Sequence, residues 1–526
     1  MREMFCVAVL AAVVAGLPAP AAGATLRWAN DADVASLDPY ARQEVFLLSF
    51  DSNIYEPLIR RDRNLRLEPA LATEWSEIAP EVWRFKLRRD VMFHDGTPFT
   101  ADDVVFSFER ATGPGSRLSG ALAAVTDVRK VDDHTVDLVT NGPDPVLPEE
   151  IAVWDIMSKA WSERNNAAQA ADLAKGEENY ATNHANGTGP FLLKDRQPEA
   201  QTVLARNPRW WDKPEHNLDE IVFRSIADPR ARVAALLAGE LDMIYAVPPQ
   251  DIDRIAKAPH LRIVRNPDLR TIYLGFDVAR AELLDSDVKG SNPFRDIRVR
   301  QAFYQAIDED AITSRVMRGF AVPTALMVGS GVNGFDSALN ERLLPYDPEA
   351  ARQLLAQAGY PRGFAVGMDC PNDRYINDEG ICQAVAAMLA KVGVKVNALI
   401  QTRAKYFAKV LGSYSTSFFL LGWAPSTYDA QDTHANVLAT RDRKGRGDFN
   451  AGGYSNPRLD GLIDAIQIET DGQKRLAMLH QALEIAKQDI PTIPLHQQVL
   501  VWAARDNVDL VQPADNYFPL RYVRVR

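Results

Sequence analysis

Polar and apolar positions alternate with period two from Glu81 to Leu87: Trp83, Phe85 and Leu87 fall on one side, Arg84, Lys86 and then Arg88 on the other. That period predicts a half-buried strand. His94-Asp95-Gly96-Thr97-Pro98 reads as the turn after it, because Gly supplies unusual backbone angles and Pro pre-sets one. Thr100 followed by Asp103 predicts a capping box opening a helix, with Asp102 and Asp103 at its positive end. Val104 and Phe108, four apart, would face a core. Further along, Asp228-Pro229 starts a helix that Gly239 ends, and Leu241–Val247 reads as a buried strand. Asp347-Pro348 starts another helix, ended by Gly359 and Pro361, and Asp308 caps a short one from Glu309 to Arg318. Asp378 is the expected cap of an apolar helix over Glu379–Val392, with strand-like Val394-Lys395-Val396 after it. Strand and helix signals alternate throughout, which predicts α/β lobes. Neither an internal repeat nor a low-complexity segment interrupts them.

Length sharpens this picture. One hydrophobic core stops growing at roughly 250–300 residues, so 526 residues imply at least two lobes. The first residues are set apart: Arg2, an apolar run from Phe5 to Leu17, then the small residues Ala22-Gly23-Ala24, with Ala19-Pro20-Ala21 as a second cleavage possibility. That order is a secretory signal over residues 1–24, too short to span a bilayer that needs ~20 apolar residues. Cys6 lies inside the apolar run and far from cleavage, so a free periplasmic protein is expected rather than a lipid-anchored one. Cys370 and Cys382 then remain, and an even pair in an exported chain invites a disulfide; two free cysteines, with Cys382 on an apolar helix face, are the alternative.

Net charge is -11, against nucleic acid as a partner. No His-Glu-x-x-His, Gly-x-Ser-x-Gly or Gly-x-x-x-x-Gly-Lys motif is present. Gly445-Arg446-Gly447 begins like a phosphate loop, but Asn450 stands where that motif needs glycine. The eight histidines show no metal-ligand spacing, and no carboxylate pair stands out as acid and base. No cofactor, metal site or catalytic residue is assigned. Ser417-Phe418-Phe419-Leu420-Leu421 is fit for a buried strand, and the loop after it, Trp423–Asp429, sits where open α/β sheets bind ligands. Trp423 offers a rigid apolar platform there and Tyr428 a hydroxyl. Trp423 as a residue of a lobe core is the competing reading.

Several stretches carry a resemblance: Tyr55-Glu56-Pro57-Leu58-Ile59, the segments 68–76 and 83–110, Asn186-Gly187-Thr188-Gly189-Pro190-Phe191, and the segment 292–312. Together they resemble the family 5 extracytoplasmic solute-binding proteins, the dipeptide, oligopeptide and nickel receptors of ABC importers. The resemblance runs from Leu37 to about Pro494. It implies a two-lobed α/β periplasmic binding protein of type II, in the large cluster with an extra inserted subdomain, and a ligand cleft between the lobes. Lobe I would comprise 25–53, 185–269 and 499–526, its inserted subdomain 54–184, and lobe II 270–498. A monomer is expected, taking a small-molecule or peptide ligand to an ABC permease at the inner membrane.

Three loops become cleft candidates on the same ground. Ser36 and Leu37, in Ser36-Leu37-Asp38-Pro39, match a loop that borders the ligand in the family. Asn372, Arg374 and Tyr375 lie where peptide receptors carry an arginine that clamps a ligand carboxylate, a task suited to a planar guanidinium. Trp423, Ser426, Thr427, Tyr428 and Asp429 match the third loop. Peptide receptors place an aspartate three residues after the tryptophan to pair with the ligand's α-amino group. This chain has Ser426 there, and Asp429 is the acid that could reach the same space. A short peptide or amino-acid-like solute is expected; the departure at Ser426 keeps an opine, an oligosaccharide or a chelated metal open. A secreted hydrolase and a periplasmic chaperone or sensor are the rival functions.

Overall fold

The computed structural model describes residues 23–42, 44–442 and 445–526. Almost all of the expected signal segment lies outside them. An eleven-stranded sheet runs through both halves of the molecule. Its order is Lys395–Gln401, Ala365–Pro371, Phe418–Trp423, Leu261–Phe276, Thr492–Arg505, Met243–Ile244, Ala24–Asn30, Leu218–Ser225, Gln201–Arg206 and Phe191–Gln197, with Ala321–Pro323 also paired to Thr492–Arg505. Leu261–Phe276 and Thr492–Arg505 are the long members, antiparallel to each other. At about 3.3 Å per residue the first reaches roughly 50 Å, enough to belong to two cores at once. Their register shifts between Pro267 and Thr271 and again between Ile272 and Tyr273, at the midpoint.

The apolar residues collect accordingly. Trp28, Phe50, Phe223 and Phe518 pack ring against ring in a cluster that continues into the inserted segment. Phe276, Phe294, Phe303 and Phe418 anchor a second cluster, and Tyr273, Tyr406, Leu421 and Leu483 lie in a third. A smaller fourth group, with Val233, Leu236 and Ile244, covers the other face of the first half of the sheet. The two long strands feed all four.

The local signals are met in most places. Val82–Leu87 is a strand with Phe85 and Leu87 buried and Lys86 exposed, inside a four-stranded antiparallel sheet. The helix Ala101–Thr112 starts at Thr100, whose N–H donates to Asp103 at 2.9 Å. Asp228 caps Pro229–Leu237, and Asp347 caps Pro348–Gln357. Gly187 is required by a close approach: a Cβ there would lie 2.0 Å from the Ile54 carbonyl oxygen.

Three expectations change. Of Leu241–Val247 only Met243–Ile244 is strand, because Pro248 and Pro249 follow and cannot donate to a ladder. Asp308 does cap its helix, but the regular part is only Glu309–Ala311 before the turns widen over Ile312–Val316. Asp378 does not cap the helix Asp378–Ala390. It is the first helical residue, and its carboxylate folds back to accept the N–H groups of Arg374 and Tyr375, both at 3.0 Å. Among the described residues no helix is long and apolar enough to cross a membrane.

Cys370, at the end of a strand, is bonded to Cys382 on that helix, with Cα atoms 6.5 Å apart. The bond ties the Arg374 loop to the helix after it. Closing a loop of this size constrains the unfolded chain by about 3 kcal/mol. Replacing both cysteines by serine is expected to lower unfolding free energy by roughly that amount, read as a shift in denaturant midpoint. An unchanged midpoint would show that the bond does not hold this loop.

Candidate functional site

The crossing strands bring charge to the midpoint of the molecule. Asp268 is buried beside the register shift, with Arg270 Nε at 3.7 Å. Gln498, on the partner strand, donates to Asp268 at 3.5 Å. Arg374 stands over the Tyr375 ring, 5.0 Å from its centre. Its guanidinium makes no hydrogen bond or ion pair among the described residues. Burial lowers its pKa, and the positive charges of Arg270 and Arg403 lower it further. Two arginines around one carboxylate leave an uncompensated positive charge, which an anionic group would relieve. Tyr375 is buried and its hydroxyl points to the Gly422 carbonyl at 3.4 Å, joining this loop to the end of Phe418–Trp423. Asn372 is exposed and only continues strand pairing, donating to the Gln401 carbonyl.

Trp423 is half-buried against Phe449, ring centres 4.4 Å apart, and packs on the third cluster. Its Nε1 donates to Asp432 at 3.1 Å. Ser426 is exposed but donates both its N–H and its hydroxyl to Asp432, at 2.9 and 2.6 Å. A buried carboxylate therefore sits directly behind the position that lacks one. Burial raises the Asp432 pKa, and the donors from Ser426, Trp423 and Asn436 oppose that rise. Asp429 is engaged elsewhere: Arg475 holds it with two nitrogens at 2.7 and 2.9 Å, and Asn333 donates at 2.7 Å. Using Asp429 for a ligand amine would break that buried pair, a cost of several kcal/mol.

The same loop reaches the opposite lobe. The Arg61 guanidinium lies 3.9 Å from the centre of the Tyr428 ring and donates to the Thr427 carbonyl at 3.2 Å. The Tyr428 hydroxyl donates to Asp515 at 3.2 Å. Arg61 also donates to the Glu149 carbonyl, so these contacts close the cleft over residues 61, 149, 428 and 515. Leu65, at the tip of the same hairpin, packs on the third cluster. None of these partners was legible as a pair: Arg61 and Thr427 are 366 residues apart. Nothing in the sequence marks the Arg270 side chain as part of the cleft.

Ser36 and Leu37 belong to the interior of the first lobe. Ser36 accepts the Asp38 N–H, Leu37 is fully buried, and the Leu37 carbonyl accepts the Tyr55 hydroxyl. Beside them Asp38 pairs with Arg110, both side chains sealed from solvent. No hydrogen bond or ring contact links Ser36 or Leu37 to Arg374 or to the Trp423–Asp429 loop among the described residues.

Acidic groups collect where the lobes meet. Burial, the neighbouring Asp144 and Asp432 of the other lobe raise Glu150 to about 8. Burial raises Glu149 to about 7, with Asp429 adding to it and Arg61 and Arg475 opposing. Burial raises Asp515 to about 6. Opening the lobes would return these carboxyls towards ordinary values near 4. Closure then takes up protons, so it is favoured as pH falls from about 8 towards about 4. The radius of gyration without ligand is expected to be smaller at pH 5.5 than at pH 8.5 in solution scattering. A larger value at pH 5.5 would contradict this reading.

Comparison with known proteins fits this architecture. Residues 66–444 match the model of the family described as bacterial extracellular solute-binding proteins, family 5 Middle. The glutathione-binding protein GsiB of Pectobacterium atrosepticum is 27% identical over 506 residues, covering 93% of this chain and 93% of that protein. Heme-binding protein A of Haemophilus influenzae is 27% identical over 466 residues, covering 82% of this chain and 79% of that protein. The structure of HbpA2 from Haemophilus parasuis shares the fold, with a TM-score of 0.82 over 96% of this chain and 100% of that one, at 24% identity.

Proposed function

This chain belongs to the bacterial extracellular solute-binding proteins of family 5, and from that premise we propose that it captures a short peptide or amino-acid-like solute between its lobes. It is a receptor, not an enzyme, and returns its ligand unchanged. The N-terminal segment acts as a cleaved signal, the mature monomer works in the periplasm, and the closed form docks on the permease of an ABC importer. Lobe I is taken as 25–53, 185–269 and 499–526 with 54–184 inserted, and lobe II as 270–498. The second and third apolar clusters draw almost entirely on the last of these segments, which supports the division.

The observation that carries the ligand class is Arg374, an arginine without an ion pair among the described residues, set next to Arg270 at the lobe junction. A carboxylate placed there would gain charge-assisted hydrogen bonds and relieve like-charge repulsion. Ser426, backed by Asp432, offers a polar and weakly negative position for the other end of the solute. The relative named for glutathione, itself a peptide, supports the same class. A solute touching both lobes stabilises the closed form by its differential affinity for it.

Thermal unfolding with a panel of di- and tripeptides, glutathione and hemin tests this. A bound peptide should stabilise by RT ln(1 + [L]/Kd), about 2.7 kcal/mol at a hundredfold excess over Kd. Stabilisation by hemin alone would replace the peptide reading with a heme one, and no stabilisation by any member would count against both. Arg374→Ala is expected to weaken the peptide that binds by at least about 2 kcal/mol, read by calorimetry. Trp423→Ala should lose affinity and also lower the unliganded melting temperature, because the ring packs on Phe449 and its Nε1 bonds Asp432; unchanged affinity in the folded variant would leave Trp423 a residue of the lobe core alone.

A further inference from the structure

Asp268 is a buried acid with loose partners at the centre of the lobe junction. Three donors reach its carboxylate, and all three contacts are long: the Arg270 N–H at 3.3 Å, the Gln498 side chain at 3.5 Å and Arg270 Nε at 3.7 Å. Charge-assisted hydrogen bonds from a guanidinium run at about 2.7–2.9 Å. This chain makes such bonds where a buried pair holds the fold together. Arg475 meets Asp429 at 2.7 and 2.9 Å, and Arg110 meets Asp38 at 2.7 and 2.5 Å. Asp268 and Arg270 are a charge pair without the contacts of a structural clamp. The terminal nitrogens of Arg270 make no hydrogen bond among the described residues, and no guanidinium nitrogen of Arg374 does. All of these nitrogens are open to solvent, unlike the sealed Nε atoms of Arg61 and Arg521.

One side chain joins Asp268 to the Arg374 loop. Gln498 donates to Asp268 from Nε2, and its Oε1 accepts the Ile376 N–H at 3.4 Å, two residues beyond Arg374. The neighbouring Gln497 donates to the Asp268 carbonyl at 2.8 Å and to the Ser330 carbonyl at 3.0 Å. Backbone and side chain of Asp268 are thus both placed from the partner strand. The electrostatics agree: Arg270 repels Arg374 and Asp268 attracts it. The other charges of this region are spent or screened. Asp378 accepts backbone N–H groups of its own loop, and Asp373 accepts the Arg403 N–H. The Arg403 side chain is exposed, so solvent weakens its field. Two guanidinium groups and one carboxylate therefore leave a single positive charge. One carboxylate of a solute satisfies it; a second meets Asp268 with no cation to spare.

We propose that Asp268 is a specificity-determining residue: it holds the anion site of Arg270 and Arg374 to one positive charge, so that the receptor takes solutes with one carboxylate at that end and rejects those with two. This rests on the capture of a peptide-like solute with its carboxylate at Arg374. Asp268 acts by its charge. Gln498 is a positioning residue, which keeps that charge at a fixed place relative to the Arg374 loop.

The test is calorimetry on the full mature chain with Ala-Asn, Ala-Asp, Ala-Ala-Asn and Ala-Ala-Asp. Within each length the two peptides have nearly one shape and differ by one charge beside the terminal carboxylate. Wild type is expected to bind the Asn peptide at least about tenfold more tightly than the Asp peptide, the order of one like charge at short range in a partly buried site. Asp268→Asn should remove or reverse that preference. It also leaves Arg270 unpaired, so unliganded melting is recorded, and two further variants carry the test if it does not fold. Arg270→Gln leaves Asp268 facing Arg374 and should weaken the Asn peptide at least about tenfold. Arg270→Gln combined with Asp268→Asn removes both charges and should regain the lost affinity, a rescue that a merely structural role would not give. A wild type indifferent to the second carboxylate, a preference that survives in folded Asp268→Asn, or a double variant no better than Arg270→Gln overturns the role of Asp268 alone. Failure of all four peptides to bind the wild type overturns it together with the peptide reading.

Discussion

The antiparallel pairing of Leu261–Phe276 with Thr492–Arg505 is the constraint on which the rest depends. These two strands are the long elements that contribute to the cores on both sides of the molecule. Their ladder is continuous at both ends and irregular in the middle. A shift of register there interrupts strand hydrogen bonding while the ends remain fixed in separate cores. A hinge between the two halves would cost the fewest strand contacts at Pro267–Tyr273. The cleft charges sit on or beside this same point, Asp268 and Arg270 on one strand and Gln498 on the other.

This placement links motion to recognition. Arg374 and Trp423 are carried by loops at the ends of strands in one lobe, while Arg61 and Asp515 belong to the other. Neither lobe alone presents a complete set of partners. Arg374 is held by a disulfide on one side and by Asp378 on the other, so its loop is ordered before ligand arrives. Trp423 and Ser426 are held by Asp432 in the same way. Tyr428 meets Arg61 and Asp515 across the junction, and the entropy of ordering the loops is spent in folding rather than in binding.

The sequence revealed local punctuation well and distant partners poorly. Capping at Thr100, Asp228 and Asp347, the strand at Val82–Leu87 and the Cys370–Cys382 bond each depend on residues close together in the chain. The shortened strand after Leu241 and the inward turn of Asp378 depend on competition for backbone N–H groups, which residue spacing does not disclose. In the cleft, the family likeness pointed to Arg374 and Trp423, but the partners that decide their chemistry come from elsewhere. Asp432 lies behind Ser426 because a short helix turns it back, and Arg475 removes Asp429 from use by an ion pair formed across 46 residues. Arg61 and Asp515 carry no local signal at all. They meet only because the C-terminal segment returns to the first lobe.

Native mass spectrometry of the protein purified from its own host, wild type beside Arg374→Ala, tests the central claim most directly. The account predicts a small carboxylate-bearing solute retained by the wild-type protein and lost from the variant, with both proteins folded. A wild-type protein that carries no solute after gentle purification and binds none on addition, or a solute retained equally by the variant, would contradict it.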